Sequence, residues 1–251
     1  MMTRSLRIAV LECDTPIAPV TERLGGYGEI FERLLLKGLA ASPDSGVEFA
    51  EISKWHVVDN PVYPDPNKYD AFLLSGSKHD SFKDDPWIVS LTEYVRGLLE
   101  DHKKPVVGIC FGHQIIARAL GARVGRGDHG WEISVDEINL TETGQRIFGK
   151  DKLYLQQMHR DVVHEVPKGC VNLGSSPRCA IQGLYMPKRI WSVQAHPEFT
   201  EFIMSQVLQA RHQSGVFNDE LFQDGFSRAG KAHDGEFLAT EIVKFIAEAT
   251  S

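Results

Sequence analysis

One cysteine stands in a sequence context that favours a nucleophile. Cys110 lies between Gly108 and Gly112, directly after an apolar run and directly before a stretch with helical periodicity. A tight turn from a strand into a helix would present the thiol above a sheet, and side chains at the two glycines would obstruct that turn. The helix N-terminus favours the thiolate, and the backbone N–H of Phe111 would point towards an oxyanion. The pattern predicts a nucleophile elbow, with a buried structural cysteine as the alternative.

A histidine and a glutamate two residues apart could supply the proton transfers that a thiol nucleophile needs. His196 ends the apolar run 190–195, and Glu198 follows after Pro197. Residues two apart in an extended segment point to the same side, so the carboxylate is expected beside the imidazole, where it would fix the tautomer. A metal pair and a surface contact are the alternatives. A metal would need further ligands that the neighbouring sequence does not supply.

The elements that position these residues follow from the hydrophobic periodicity. Apolar runs alternate with helix-like stretches through the first half of the chain, which is typical of a parallel sheet with helices on both faces. In the second half, alternating runs predict a few antiparallel strands at one edge of the sheet or in a small second sheet. Buried strands are expected at 7–11, 47–52, 71–74 and 105–109, alternating strands at 133–138, near 171, at 180–185 and at 190–193, and helices at 29–40, 87–100, 112–120, 199–212 and 235–249.

No internal repeat or long linker divides the chain, so residues 1–251 are expected to form a single domain in which 214–251 is a C-terminal helical extension. The segment 214–234 carries apolar residues at helical spacing, which predicts a short helix packed on the body. A lid or a docking surface is the alternative for this segment.

Composition and charge restrict the classes of function. Of 251 residues, 42% are hydrophobic and 24% are charged, as in a folded globular protein. The net charge of -7 disfavours nucleic acid and acidic membranes as partners. The first apolar run stops at Glu12, well short of an export signal, and the four cysteines show no metal-ligand spacing. We therefore expect a cytoplasmic protein with free thiols and with neither a metal nor another cofactor.

The two motifs together resemble the class I glutamine amidotransferase pattern. The stretches that carry the resemblance are 108–114 and 194–198, and it extends over nearly the whole chain. It implies a flavodoxin-like fold and a catalytic triad. In that triad Cys110 would be the nucleophile, His196 the general base and acid, and Glu198 the group that orients the imidazole.

The resemblance also implies the surroundings of the reacting bond. The N–H groups of Gly76 and Phe111 would form the oxyanion hole. Gln114 would contact the α-amino or α-carboxyl end of a glutamyl group, and Ser77 and His159 would border that pocket. The family has a second glycine and a proline after the position of Gly76, where this chain has Ser and Lys, so the path of this loop is expected to differ.

Within the superfamily, the chain looks closest to stand-alone γ-glutamyl peptidases, on the segments 25–27, 69–70, 75–82 and 87–89. The first hypothesis is a hydrolase of the γ-glutamyl amide bond of glutamine or of γ-glutamyl peptides, acting through a γ-glutamyl thioester. The second is an ammonia-supplying subunit of a separate synthetase. The third, a non-catalytic thiol sensor, is disfavoured because a sensor needs no histidine and glutamate pair. A small γ-glutamyl compound is the expected ligand, and a synthetase or a second copy of the chain are the candidate protein partners.

Overall fold

The computed structural model of the protein describes residues 3–58 and 61–251. The strands in these residues are β1 (Arg4–Glu12), β2 (Val47–His56), β3 (Ala71–Leu74), β4 (Val106–Ile109), β5 (Val124–Arg126), β6 (Glu132–Leu140), β7 (Lys152–His159), β8 (Asp161–Val163), β9 (Val171–Asn172), β10 (Gly174–Ser175), β11 (Gly183–Met186) and β12 (Ile190–Val193). The helices are α1 (Ala18–Leu24), α2 (Tyr27–Ala40), α3 (Pro86–Glu100), α4 (Phe111–Ala119), α5 (Glu142–Phe148), α6 (Glu201–Gln213), α7 (Asp219–Arg228) and α8 (Gly235–Ala249).

A seven-stranded sheet forms the centre, in the order β2-β1-β3-β4-β12-β11-β9. Its first five strands are parallel, and the last two contacts are antiparallel. Strands β3 and β4 are buried at every position, as expected for strands that helices cover on both faces. Helices α2 and α8 pack on one face of the sheet, and α3 and α4 pack on the other. The predicted α/β fold with a mostly parallel sheet is confirmed.

One strand lies further inside the sheet than its sequence predicted. The run 190–193 alternates like an edge strand, but β12 lies inside the sheet, parallel to β4 and antiparallel to β11. Its pairing sets Ser192 opposite Gly108 and Val193 opposite Ile109. Four residues that are buried on both faces carry no sign of strand direction. The pairing matters because the chain leaves β12 beside the point where it leaves β4.

Antiparallel strands do form in the second half of the chain, as expected. Strands β11 and β9 close one edge of the main sheet, β10, β6 and β7 form a three-stranded sheet, and β5 pairs with β8. Helices α1 and α5 and strands β5, β7 and β8 are additions to the elements expected from periodicity.

The segment 214–234 contains helix α7, as predicted. Phe217 is buried in a cluster with side chains of α6, whereas Phe226 remains exposed. The structure does not test whether 1–251 is one domain, so that stays a prediction. No helix among the described residues is long and apolar enough to cross a membrane, and no group of three metal-ligating side chains occurs there.

Candidate active site

The chain turns sharply at Cys110, between the end of β4 and the start of α4. Cys110 has φ 52° and ψ -102°, and residues other than glycine rarely adopt a positive φ. The turn is tightly packed. A Cβ added to Gly108 would lie 2.7 Å from the carbonyl oxygen of Gly112, and one added to Gly112 would lie 2.6 Å from that of Leu74. The two glycines are therefore needed for the close approach of helix and strands.

His196 lies three residues beyond the end of β12. Its backbone N–H donates to the carbonyl oxygen of Gln156 at 2.8 Å, and its ring stacks on Phe199 with the centroids 4.1 Å apart. His196 Nδ1 lies 2.7 Å from Glu198 Oε1, and both side chains are buried. The carboxylate therefore fixes the orientation of the ring.

The predicted reason for this pairing was wrong. Residues 197 and 198 form a turn rather than an extended segment, and the N–H of Phe199 donates to the carbonyl oxygen of His196 at 3.3 Å. The turn brings the Glu198 carboxylate back to the imidazole. Strand alternation has no part in the contact.

Gly76 shows how close the thiol and the imidazole are. A Cβ added to Gly76 would lie 2.7 Å from His196 Cε1 and 3.7 Å from Cys110 Cβ. Both side chains therefore pack against the same backbone position after β3. The structure brings together the predicted nucleophile, base and orienting carboxylate from loops after β4 and β12.

The charge state of His196 depends on its two neighbours. Burial acts to lower the pKa of His196, but the negative charges of Glu198 and Cys110 outweigh it and raise this pKa to about 10. At neutral pH the ring is then an imidazolium that can give a proton to a leaving group.

Two backbone N–H groups beside Cys110 are free to bind an oxyanion. The amides of Gly76 and Phe111 have no hydrogen-bond acceptor within residues 3–58 and 61–251. Gly76 lies in the loop after β3, and Phe111 is the first residue of α4, directly after β4, so both amides lie at the same edge of the sheet. This is where ligands bind in open α/β sheets.

A small polar cavity of about 60 Å³ opens at Cys110. Charged side chains line it, among them Asp80, Arg126 and Asp161. Arg126 pairs with Asp161 at 2.6 Å and with Asp80 at 3.2 Å. Burial raises the pKa of Asp161 to about 6, against the opposing effect of Arg126, and the neighbouring Asp80 raises it further. The cavity therefore contains a cluster in which two carboxylates share one guanidinium.

Gln114, His159 and Ser77 all line this cavity, but their polar atoms already have partners. The Gln114 amide accepts from Ser81 Oγ at 2.8 Å and donates to the carbonyl oxygen of Asp161 at 2.9 Å. His159 Nε2 lies 2.9 Å from Glu132 Oε2. The Ser77 hydroxyl accepts from the N–H of His79 at 3.1 Å. Gln114 and His159 therefore stiffen the wall of the cavity.

A second cavity of about 460 Å³ lies on the side of His196. Its walls are mainly apolar and come from α1, α6 and the segments before them. Arg211, near the end of α6, lines both cavities, as do Ser77, Lys78 and Met158. Sequence reasoning missed Arg211. It stands in the last turn of a predicted helix, where cations are common for reasons unrelated to function.

The sequence of the chain is similar to a known family and to individual members of known function classes. Residues 50–236 match the model of the family glutamine amidotransferase class-I. A glutamine amidotransferase-like protein of Schizosaccharomyces pombe is 33% identical, over 96% of this chain and 98% of the relative. Gamma-glutamyl peptidase 3 of Arabidopsis thaliana is 31% identical, over 88% of this chain and 85% of the relative.

The fold agrees with a solved structure of the same class. A glutamine amidotransferase from Thermotoga maritima superposes with a TM-score of 0.70 at 16% identity, over 98% of both chains. The extent of the sequence matches shows that this chain belongs to the class I glutamine amidotransferase family. Members of this family include hydrolases and amidotransferases, which supports an enzyme.

Proposed function

We propose that the protein is a cysteine hydrolase that cleaves the γ-glutamyl amide bond of a γ-glutamyl peptide or of glutamine. The single observation that carries the proposal is the meeting of Cys110 and His196 at Gly76, with Glu198 bonded to the far side of the imidazole. This geometry matches the need of acyl transfer for a nucleophile, a proton donor and an orienting group. The relatives named γ-glutamyl peptidases point to the same substrate class.

The reaction would begin from the thiolate of Cys110 and the imidazolium of His196. The sulfur attacks the γ-carbonyl carbon, and the oxyanion that forms accepts hydrogen bonds from the N–H groups of Gly76 and Phe111. His196 gives its proton to the amide nitrogen, the C–N bond breaks and the amine leaves. A γ-glutamyl thioester of Cys110 remains.

Water completes the cycle. His196, now neutral, takes a proton from a water molecule that attacks the thioester carbonyl. The C–S bond breaks, glutamate leaves and the thiolate–imidazolium pair is restored. Glu198 keeps the ring oriented through both steps and stabilises its charged form.

The small polar cavity suits the glutamyl group. It contains Cys110, and its carboxylates at Asp80 and Asp161 could receive the α-ammonium group. Burial is the main cause of the raised pKa of Asp161, and a bound ammonium group would counteract it by stabilising the carboxylate. Gln114 and His159 would hold the walls of this pocket rather than bind the substrate directly.

The test is release of glutamate from purified protein. Glutamate formation from glutamine and from a set of γ-glutamyl dipeptides is measured by coupled assay, with thioester trapping by mass spectrometry. Cys110→Ala should lower the rate at least about 1,000-fold, because no other group there can form the acyl intermediate. Cys179→Ala, which removes a buried thiol that lines neither cavity, is the matched control. Absence of release from every γ-glutamyl compound would refute the proposal.

A glutaminase component of a separate synthetase is the second candidate. The fungal relative is named for glutamine amidotransferases, and a structural neighbour from Thermoplasma acidophilum, with a TM-score of 0.56, is named as part of a GMP synthase. In this candidate function the acyl chemistry is the same, and the ammonia released from glutamine is the product that the synthetase uses. A rate with glutamine that exceeds the rate with every dipeptide, and rises when a synthetase is added, would favour it.

A further inference from the structure

Each of the two cavities lies on one side of the place where the bond would be broken. Cys110 lines the small polar cavity but not the large one, whereas His196 lines the large cavity but not the small one. If the proposed function holds, the acyl carbon must contact the sulfur and the leaving nitrogen must contact the imidazole. The glutamyl group then occupies the polar cavity, and the leaving amine enters the large one.

The walls of the large cavity are suited to an apolar group. Val20 and Ile203 are almost fully buried, and Ile17, Phe199 and Val207 are among the other apolar residues that line it. A volume of about 460 Å³ exceeds by far what ammonia requires. Glutamine would leave this cavity nearly empty, whereas an amino acid with a branched or aromatic side chain would bury apolar surface there.

One cation at the border of the two cavities lacks an ion-pair partner. Lys78 Nζ is bound to Asp14 Oδ1 at 2.9 Å. Arg211 instead lies over the rings of Trp131, at 4.6 Å from the centroid, and of Phe217, at 6.0 Å. In the part of the chain that the structure describes, no carboxylate forms an ion pair with its guanidinium.

An unpaired guanidinium is well suited to a carboxylate ligand. Two aromatic rings hold the planar group in place, so little side-chain freedom is lost when a ligand binds. Its donors can form a two-point contact with a carboxylate. The border between the two cavities is where the carboxylate of a leaving amino acid would lie, because that carboxylate is attached one carbon from the leaving nitrogen.

We propose that Arg211 is a specificity residue that binds the carboxylate of the leaving amino acid, while the apolar cavity receives its side chain. The preferred substrates are then γ-glutamyl dipeptides whose second residue is apolar. This proposal rests on the proposed γ-glutamyl hydrolase function and narrows it.

The experiment compares two substrates that differ only in the carboxylate. The leaving amines of γ-glutamyl-leucine and γ-glutamyl-isopentylamide have the same branched apolar chain, and only the leaving leucine carries a carboxylate. We expect Arg211→Met to lower the ratio of their kcat/KM values, dipeptide over amide, by about 10- to 100-fold, as for loss of a charge-assisted hydrogen bond. Arg23→Met is the control, because Arg23 also lies over a ring, at 4.3 Å from Phe202, but lines neither cavity.

Two outcomes of this comparison would overturn the proposal. An equal loss of kcat/KM on both substrates would place the guanidinium at the glutamyl α-carboxylate, and unchanged kcat/KM values for both substrates would leave it a packing role only. Thermal unfolding of each variant identifies a loss caused by misfolding, and Arg211→Lys should restore part of the ratio because it keeps the charge. For the apolar wall, the wild type should prefer γ-glutamyl-leucine over γ-glutamyl-glycine by about 10-fold or more. Equal rates would refute that part.

A binding measurement separates failure of this proposal from failure of the proposed function. Calorimetric titration of γ-glutamyl-leucine into Cys110→Ala requires no turnover. Binding of γ-glutamyl-leucine that weakens about 10-fold or more when Arg211→Met is added, with binding of γ-glutamyl-isopentylamide unchanged, supports the proposal even if the wild type hydrolyses nothing. Binding that is absent, or that the second substitution leaves unchanged, overturns it.

Discussion

Cys13 and Cys110 occupy corresponding places in the sheet and have different surroundings. Cys13 follows β1 and Cys110 follows β4, so both thiols end parallel strands at the same edge, and both are buried. Cys13 donates to the carbonyl oxygen of Leu11 at 3.6 Å, and no helix starts beside it. Burial raises the pKa of Cys13 to about 12, which the hydrogen bond from Ser75 only partly offsets.

Three features found at Cys110 are missing at Cys13. Cys110 precedes a helix, contacts an imidazole whose own pKa is raised to about 10, and lines a cavity. Burial by itself therefore does not distinguish a structural thiol from a candidate nucleophile. The distinction comes from the dipole, the cation and the access that surround the sulfur.

The rate of alkylation should show the largest difference between Cys110 and Cys13. Because burial raises the pKa of Cys13 to about 12, its thiol is almost entirely protonated at pH 7. We expect iodoacetamide at that pH to modify Cys110 at least about 1,000-fold faster than Cys13, as followed by peptide mass spectrometry. Cys170, which is partly exposed and has a pKa raised by burial to about 11, serves as an internal control for access. Similar alkylation rates at Cys13 and Cys110 would show that the surroundings of Cys110 do not activate its thiol.

Gly76→Ala tests whether Cys110 depends on its neighbours. The added Cβ would lie 2.7 Å from His196 Cε1, so the ring or the oxyanion-hole loop must move. We expect kcat to fall about 100-fold, since small misplacements of catalytic groups have effects of that size. Gly97→Ala is the control, because its new Cβ would meet nothing closer than 3.7 Å. A Gly76→Ala enzyme with normal kcat would contradict the observed packing.

Glu198→Gln should produce the smallest effect, and its direction is informative. Glu198 and Cys110 raise the pKa of His196, so the imidazolium persists to about pH 10 and is lost as pH rises through that value. Glutamine can keep the contact but not the charge. The basic limb of kcat/KM should therefore move to lower pH by about one to two units. A limb that stays in place, or moves to higher pH, would show that Glu198 does not act through the charge of the ring.

The sequence was informative where chemistry required particular residue types. The glycines around Cys110 and the segment from His196 to Glu198 indicated which residues to examine, and the structure brings them together. Strands buried on both faces were also recognised from their apolar runs. These signals lie within short segments of sequence, so they can be recognised without knowledge of the fold.

What the sequence did not reveal depends on contacts between distant segments. The direction of β12 depends on its pairing with β4, and periodicity does not encode it. Arg211 gained its place only because α6 runs along the cavity and Trp131 and Phe217 hold its side chain. The turn at residues 197–198 was mistaken for a strand because proline is compatible with both conformations.

The positive φ of Cys110 has a consequence for the stability of the protein. Holding a residue other than glycine in that region costs on the order of 1 kcal/mol, and glycine at this position would relax the main chain. The folded state would then tolerate, and even gain from, removal of the thiol. At Cys110 the stability of the folded state and the reactivity of the thiol are therefore opposed. A search for more heat-resistant variants would tend to select inactive substitutions at this position.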